Sequence, residues 1–209
     1  APKSVSSKPC ATVLNRSYVG KVLVKIEGLP ADSVVKTCGL GATPLDWVIT
    51  KIDAPYCATF EGTQFISKTI RNIEDVPAGT TLTTCSSAPP VGWISSAVSK
   101  SYCGHHQNTW YVERKITKIE GLPSGASVRQ CGGDIPPDRI ATAIPGYCQT
   151  LGNAYFVERI IRNIEGLPVG TSLSQCGGPT PYGWRVTKTK GYCANFGTTA
   201  YYARTIVKV

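Results

Sequence analysis

The chain has 209 residues, a net charge of +9, nine cysteines and two histidines. This length is enough to bury a hydrophobic core, and no apolar run approaches the roughly 18 residues that a membrane-spanning helix needs. The two histidines are adjacent and no C-x-x-C pair occurs, so the usual ligand spacing of a zinc site is missing. We therefore predict no membrane span, no metal and no cofactor.

The first nine residues are rich in serine, proline and lysine. Residues 1–9 hold too little apolar surface for a core of their own, and we expect them to form a flexible arm. The start at Ala1 and the lack of any methionine favour a processed N terminus, as a secreted protein would have.

A 17-residue pattern follows the arm, and we call it unit A. An aromatic residue follows its cysteine by eight positions, a cation by eleven, and Leu or Ile by thirteen, as Tyr18, Lys21 and Leu23 do in the first copy. Its aromatic and β-branched residues predict a β-strand. Unit A occurs five times without insertion or deletion: Cys10–Ile26, Cys57–Ile73, Cys103–Ile119, Cys148–Ile164 and Cys193–Val209.

A second pattern, unit B, separates successive A units and occurs four times. It opens with a turn such as Glu-Gly-Leu-Pro, runs through a short strand to a second cysteine, and continues through a Gly/Pro-rich loop into a third strand. The aligned residues Ile26, Ile73, Ile119 and Ile164 set a period of 45 to 47 residues. A fixed period of this length indicates one repeat architecture, and three strands per repeat predict an all-β fold.

We accordingly predict a tandem-repeat β protein in which residues 10–209 form one repeat domain. Four disulfide-stapled repeats of about 46 residues are preceded by a surplus half-repeat. The half-repeat is 10–26, and the repeats are 27–73, 74–119, 120–164 and 165–209.

Regularly spaced cysteines favour disulfides and an oxidising compartment over metal binding. One pairing scheme joins Cys10–Cys38, Cys57–Cys85, Cys103–Cys131 and Cys148–Cys176, leaving Cys193. The other joins Cys38–Cys57, Cys85–Cys103, Cys131–Cys148 and Cys176–Cys193, leaving Cys10. The two loop lengths differ in closure cost by only about 0.4 kcal/mol, so loop entropy does not choose. We favour the second scheme, because it leaves the odd cysteine beside the arm and closes the loops that vary in length.

Either scheme leaves one cysteine, which in a secreted protein predicts an intermolecular bridge or a reactive thiol. The alternative is a buried, inert cysteine.

Catalytic patterns are scarce. A catalytic histidine would have to be His105 or His106, and no G-x-S-x-G elbow occurs. The glutamate that opens every turn and the cation that recurs in every A unit are structural candidates first. We predict that the protein is not an enzyme and has no catalytic residues.

Recurring aromatic residues are the best candidates for ligand binding. A multivalent carbohydrate-binding lectin would use them as weak sites that gain avidity by repetition, whereas the structural interpretation places them in the core around each disulfide. The third repeat has Asp138 and Arg139 where the others have tryptophan, so it has either a packing defect or no site. The candidates are Trp47, Trp93, Trp184, Tyr56, Tyr102 and Tyr192.

The surplus A unit leads to the main functional hypothesis. An uncovered strand edge is a template for pairing with another chain, and we expect self-assembly by β-strand complementation into an extracellular fibre, an adhesive layer or a surface layer. The residues that we expect to take part are Cys10, Tyr18, Lys21, Leu23 and Ile26.

The net positive charge indicates which other partners the protein could bind. A charge of +9 suits glycans or anionic surfaces, but the charges are spread through the repeats, which favours a solvated basic face and argues against specific nucleic-acid binding. Besides assembly and the lectin function, a cationic toxin or inhibitor is a weaker alternative.

Overall fold

The computed structural model describes residues 2–13, 16–39, 42–85, 88–106, 109–196 and 199–209. The side chains of residues 2–20 other than Ser4, of 54–55 and of 105–110 lie outside this description. The described residues form fourteen β-strands arranged in five antiparallel sheets, which confirms the all-β repeat fold.

The first sheet has two strands, β1 (Pro2–Val13) and β2 (Arg16–Leu23). Residues 2–9, which we expected to form an arm, therefore lie in a strand. The register runs from the pair Pro2 and Leu23 to the pair Val13 and Arg16. Proline lacks the N–H that a ladder needs, but Pro2 is the first residue of the strand and Pro9 lies at a register shift, where a proline is tolerated.

Each of the other four sheets has three strands, in the order short, central, long. The short strands are β3 (Val34–Cys38), β6 (Thr81–Cys85), β9 (Ser127–Cys131) and β12 (Ser172–Cys176). The long strands are β4 (Trp47–Phe60), β7 (Trp93–His106), β10 (Arg139–Leu151) and β13 (Trp184–Phe196). The central strands are β5 (Thr63–Asn72), β8 (Thr109–Lys118), β11 (Ala154–Asn163) and β14 (Thr199–Lys208).

Unit A is therefore a hairpin, formed by the end of a long strand, a tight turn and a central strand. Unit B supplies the short strand and the beginning of the next long strand. The last A unit, Cys193–Val209, belongs to a complete sheet. Among the described sheets, the first is thus the one that lacks a third strand.

One disulfide staples each three-stranded sheet, in the second of the two pairing schemes. The pairs are Cys38–Cys57, Cys85–Cys103, Cys131–Cys148 and Cys176–Cys193. Each bridge joins the last residue of a short strand to a cysteine in the long strand. Four such bridges indicate an oxidising environment.

The same isoleucine forms the centre of each complete sheet. Ile70, Ile116, Ile161 and Ile206 lie thirteen residues after the A cysteine and are no more than 2% exposed. Ile70 packs with Trp47 and Ile49, and Ile206 packs with Ile140, Ile164 and Trp184. The apolar stripe of unit A is thus the core of every repeat.

The chain divides into two compact units. One comprises residues 1–91 and 101–114, and the other comprises 92–100 and 115–209. In the first unit, β1 contacts β3 and β4, and β4 contacts β6. In the second unit, β10 contacts β12 and β13. Within the units, β4 and β10 are therefore each covered by strands of the following sheet.

Candidate functional site

The first sheet lacks the strand that completes the other sheets. In a complete sheet the short strand pairs with the central strand in a fixed register, in which Val35 lies opposite Ile70 and Cys38 lies opposite Ser67. The last sheet repeats this register with Leu173 opposite Ile206 and Cys176 opposite Ala203. The corresponding positions of β2 are Leu23 and Gly20, and β1 is the one described strand that pairs with β2.

Exposure shows the consequence of the missing strand. The Leu23 side chain is 73% exposed, although its four isoleucine counterparts are buried. Val22 beside it is 59% exposed. Two adjacent apolar side chains at an open strand edge are the feature expected of a strand that pairs with another chain.

The other predicted assembly residues fall into two groups. Lys21 is exposed, whereas Ile26 is half-buried and packs against the cluster of Trp47, Ile49 and Ile70. The side chains of Cys10 and Tyr18 lie outside the described residues, although their backbones lie in β1 and β2. Eight of the nine cysteines are paired within the chain, which leaves Cys10.

The recurring cation fixes the loop that follows each short strand. Arg159 donates from Nη1 to the carbonyl oxygen of Gly133 at 2.8 Å, and Arg204 does the same to Gly178 at 3.2 Å. Burial lowers the pKa of Lys68 and of Arg114 at the equivalent positions. Lys21 belongs to the sheet that lacks the short strand, so among the described residues no such loop lies beside it.

The tryptophans belong to the core. Trp47, Trp93 and Trp184 are only 6–8% exposed, so their faces are not available to a ligand. Arg139 stands in place of tryptophan in the third repeat and is itself buried, and its guanidinium donates to Asp138, Ile119 and Asn163. These three indoles are therefore core residues of their repeats.

The tyrosines differ from the tryptophans. Tyr56 is half-buried, whereas Tyr102, Tyr147 and Tyr192 are exposed. The Tyr192 ring lies 4.8 Å from the Tyr202 ring, and the two hydroxyl oxygens are 3.5 Å apart. This hydrogen bond raises the pKa of Tyr202. The pair forms an exposed aromatic surface on the last sheet.

Sequence reasoning missed a set of cations on β13. Val48, Ile94 and Ile140 occupy one aligned position in the first three repeats and are buried, but the last repeat has Arg185 there. At another position Ile52, Val98 and Ile144 are buried, but the last repeat has Thr189. Arg185, Lys188, Thr189 and Lys190 are all exposed. Aligning the four long strands would have revealed these replacements.

The charge is also less evenly spread than we expected. Residues 1–26 contain five cations and no acid, and residues 166–209 contain another five cations and no acid. The intervening residues 27–165 contain 12 cations and 13 acids. The whole positive excess therefore lies in the first half-repeat and the last repeat.

The described residues show no chemistry of other kinds. They contain no group of three His, Cys, Asp or Glu side chains that could hold a metal ion. The described chain also has no helix that is long and apolar enough to cross a membrane. His105 and His106 lie in β7, and their side chains are outside the description. No family model matches the chain, and comparisons with curated proteins and with solved structures gave no match.

Proposed function

We propose that the chain is a non-enzymatic, secreted structural protein that self-assembles by β-strand complementation at its first sheet. The product would be an extracellular fibre or a surface layer. The observation that carries the proposal is the exposure of Leu23, whose four counterparts are buried in complete three-stranded sheets.

The complete sheets specify the strand that would fill the open edge of β2. Each short strand has an apolar residue three positions before its cysteine, as in Val35-Lys36-Thr37-Cys38 and Leu173-Ser174-Gln175-Cys176. Placed against β2 in the same register, the apolar residue would lie opposite Leu23 and the cysteine opposite Gly20. All four short strands already lie in complete sheets with bridged cysteines, so in the native assembly the incoming strand would be an open edge strand of a second copy, such as its own β2.

The expected free energies of burial and backbone pairing favour a stable contact between two copies at β2. Burying Leu23 and Val22 would contribute roughly 1.5–3 kcal/mol for each side chain, and the new ladder would pair the open N–H and C=O groups of β2. A bridge from Cys10 would make the contact covalent in an oxidising compartment. Because the other eight cysteines are paired, a bridge between two native copies would join Cys10 to Cys10.

The first test is the oligomeric state of the native protein. We expect a covalent dimer on non-reducing electrophoresis and a larger assembly by light scattering. Leu23→Lys should dissociate the noncovalent assembly, whereas Leu45→Lys, which alters a loop residue that is also exposed, should not. Cys10→Ser should remove only the covalent band. A clean monomer in both measurements would refute self-assembly.

A second test uses a peptide of residues 31–39, which contains the β3 short strand and Cys38. We expect it to compete with assembly and to form a mixed disulfide with Cys10. A Val35→Asp version of the peptide should do neither, because a carboxylate would face Leu23. Equal effects of the two peptides would show that the open edge of β2 is not the site.

A further inference from the structure

The last repeat presents an exposed strand with an unusual surface. In the third repeat, Ile140 on β10 packs against Ile164, Trp184 and Ile206 of the following sheet. The aligned residue of the last repeat is Arg185, and β13 is exposed from Arg185 to Cys193. Polar replacement of a buried stripe explains the solubility of a terminal repeat. It does not explain why Arg185 and Lys190 occupy two of the exposed positions. Serine or threonine there would be sufficient for solubility.

The register of β13 places these cations together. Arg185 pairs with Val207 and Lys188 pairs with Thr205, because a register shift lies between Val186 and Lys188. Val207 and Thr205 are two residues apart on β14 and therefore lie on one face of the sheet. Arg185 and Lys188 consequently share that face, and the alternation of the strand adds Lys190.

Polar groups of the neighbouring strands complete this face. Ser172 lies opposite Val207, and Ser174 lies opposite Thr205. The three cations extend over roughly 16 Å, at about 3.3 Å per residue. Tyr192 is 62% exposed but pairs with Tyr202, so it lies on the other face of the sheet.

No carboxylate balances the strip. Residues 166–209 contain no Asp or Glu, and the ion pairs among the described residues do not include Arg185, Lys188 or Lys190. A linear array of unpaired cations attracts a linear polyanion.

We propose that this strip of β13, made of Arg185, Lys188 and Lys190, binds an acidic polysaccharide. Charge complementarity selects a polyanion. Four disulfides indicate an oxidising environment, where acidic polysaccharides are the abundant linear polyanions. The site would anchor the protein to a sulfated or uronate-rich matrix, and it does not depend on assembly through the first sheet.

The test uses the full chain carrying Cys10→Ser and Leu23→Lys, so that neither covalent dimers nor noncovalent assembly through the first sheet adds avidity. Heparin oligosaccharide is the probe, measured at about 0.15 M salt, where distant charges are screened. Replacing Arg185, Lys188 and Lys190 together by glutamine should weaken heparin binding about tenfold or more. The matched control replaces Lys51, Lys100 and Lys115 by glutamine; these are also exposed, and the net charge changes equally. The control should change affinity less than about twofold.

Comparing three anionic probes separates a polysaccharide from other polyanions. Heparin should bind several-fold more tightly than single-stranded DNA or anionic lipid vesicles, and the triple glutamine variant should lose that preference. Equal losses in the two triple variants would overturn the site. Tighter binding of DNA or vesicles than of heparin, with the same dependence on the strip, would overturn the assignment to polysaccharide.

Discussion

The guanidinium of Arg139 donates a hydrogen bond from Nη2 to the carbonyl oxygen of Ile119, 2.9 Å away. Its Nη1 also donates to Asn163 and to the carbonyl oxygen of Asp138. The other three repeats bury a tryptophan at this position. A charged side chain thus replaces the indole because the surrounding carbonyl and amide oxygens accept its N–H groups.

The effect of an Arg139 substitution on the free energy of unfolding should therefore depend on the residue that replaces the arginine. Arg139→Leu should lower the free energy of unfolding by about 2 kcal/mol, because buried acceptors would lose their donor. Arg139→Trp should cost less, since the equivalent position accepts tryptophan in three repeats. Guanidinium chloride unfolding with intact disulfides would measure both. Equal losses, or no loss for leucine, would contradict this account.

Asn163 holds the turn at the beginning of its own repeat. Its Nδ2 donates to the carbonyl oxygens of Leu122 and Pro123 at 2.8 and 3.3 Å, and its Oδ1 accepts from the Glu165 N–H at 3.0 Å. Asn72, two repeats earlier, makes the same contacts with Leu29, Pro30 and Glu74. In the last repeat, Lys208 donates to the carbonyl oxygen of Leu167.

Asn163→Ala should consequently destabilise the chain by roughly 2–3 kcal/mol, because it leaves buried backbone groups unpaired. Lys208→Ala is the comparison and should cost about 1 kcal/mol, as it removes one bond from a half-buried site. Amide hydrogen exchange in the turn that contains Leu122 would localise the effect. Faster exchange throughout the sheet of β9, β10 and β11 and not in that turn would argue against a turn-specific role.

Gly166 is a turn position that needs glycine for two reasons. Its φ is +68°, and an added Cβ would lie 2.9 Å from the Ser124 hydroxyl oxygen. Gly166→Ala should lower stability by about 1–2 kcal/mol from the left-handed backbone alone. Gly191→Ala, where no atom lies within 4 Å, should have little effect. The measurement compares the unfolding midpoints of the Gly166→Ala and Gly191→Ala variants. Equal midpoints would contradict the prediction.

The polar face of β13 should also prevent self-association. Arg185→Ile together with Thr189→Ile would restore the apolar pattern that Val48, Ile94 and Ile140 begin in the other repeats, but on an exposed strand. Large exposed apolar patches promote association. Sedimentation velocity on a Cys10→Ser/Leu23→Lys background, which also lacks assembly through the first sheet, should show concentration-dependent oligomers. The variant with glutamine at both positions should remain monomeric, and identical behaviour of the two variants would refute the capping role.

Much of the repeat unit was predictable from local patterns. The recurrence of cysteine, aromatic residue, cation and isoleucine at fixed spacing predicts three strands per repeat, because alternation and turn residues act over short distances. The prediction that Cys10 is the one cysteine outside the four disulfides also rested on such a local pattern. The tryptophans were ambiguous, since the sequence alone does not show whether an indole faces a neighbouring sheet or solvent.

The sequence by itself determined the all-β class, the number of repeats and the oxidised cysteines, since each follows from spacing along the chain. Only the tertiary structure decided that residues 2–9 pair as a strand, that the surplus half-repeat is a sheet missing its short strand, and that Leu23 is exposed where Ile206 is buried. The physical reason is that exposure depends on which strand lies beside a residue. That neighbour is set by contacts between distant segments, which a local pattern does not record.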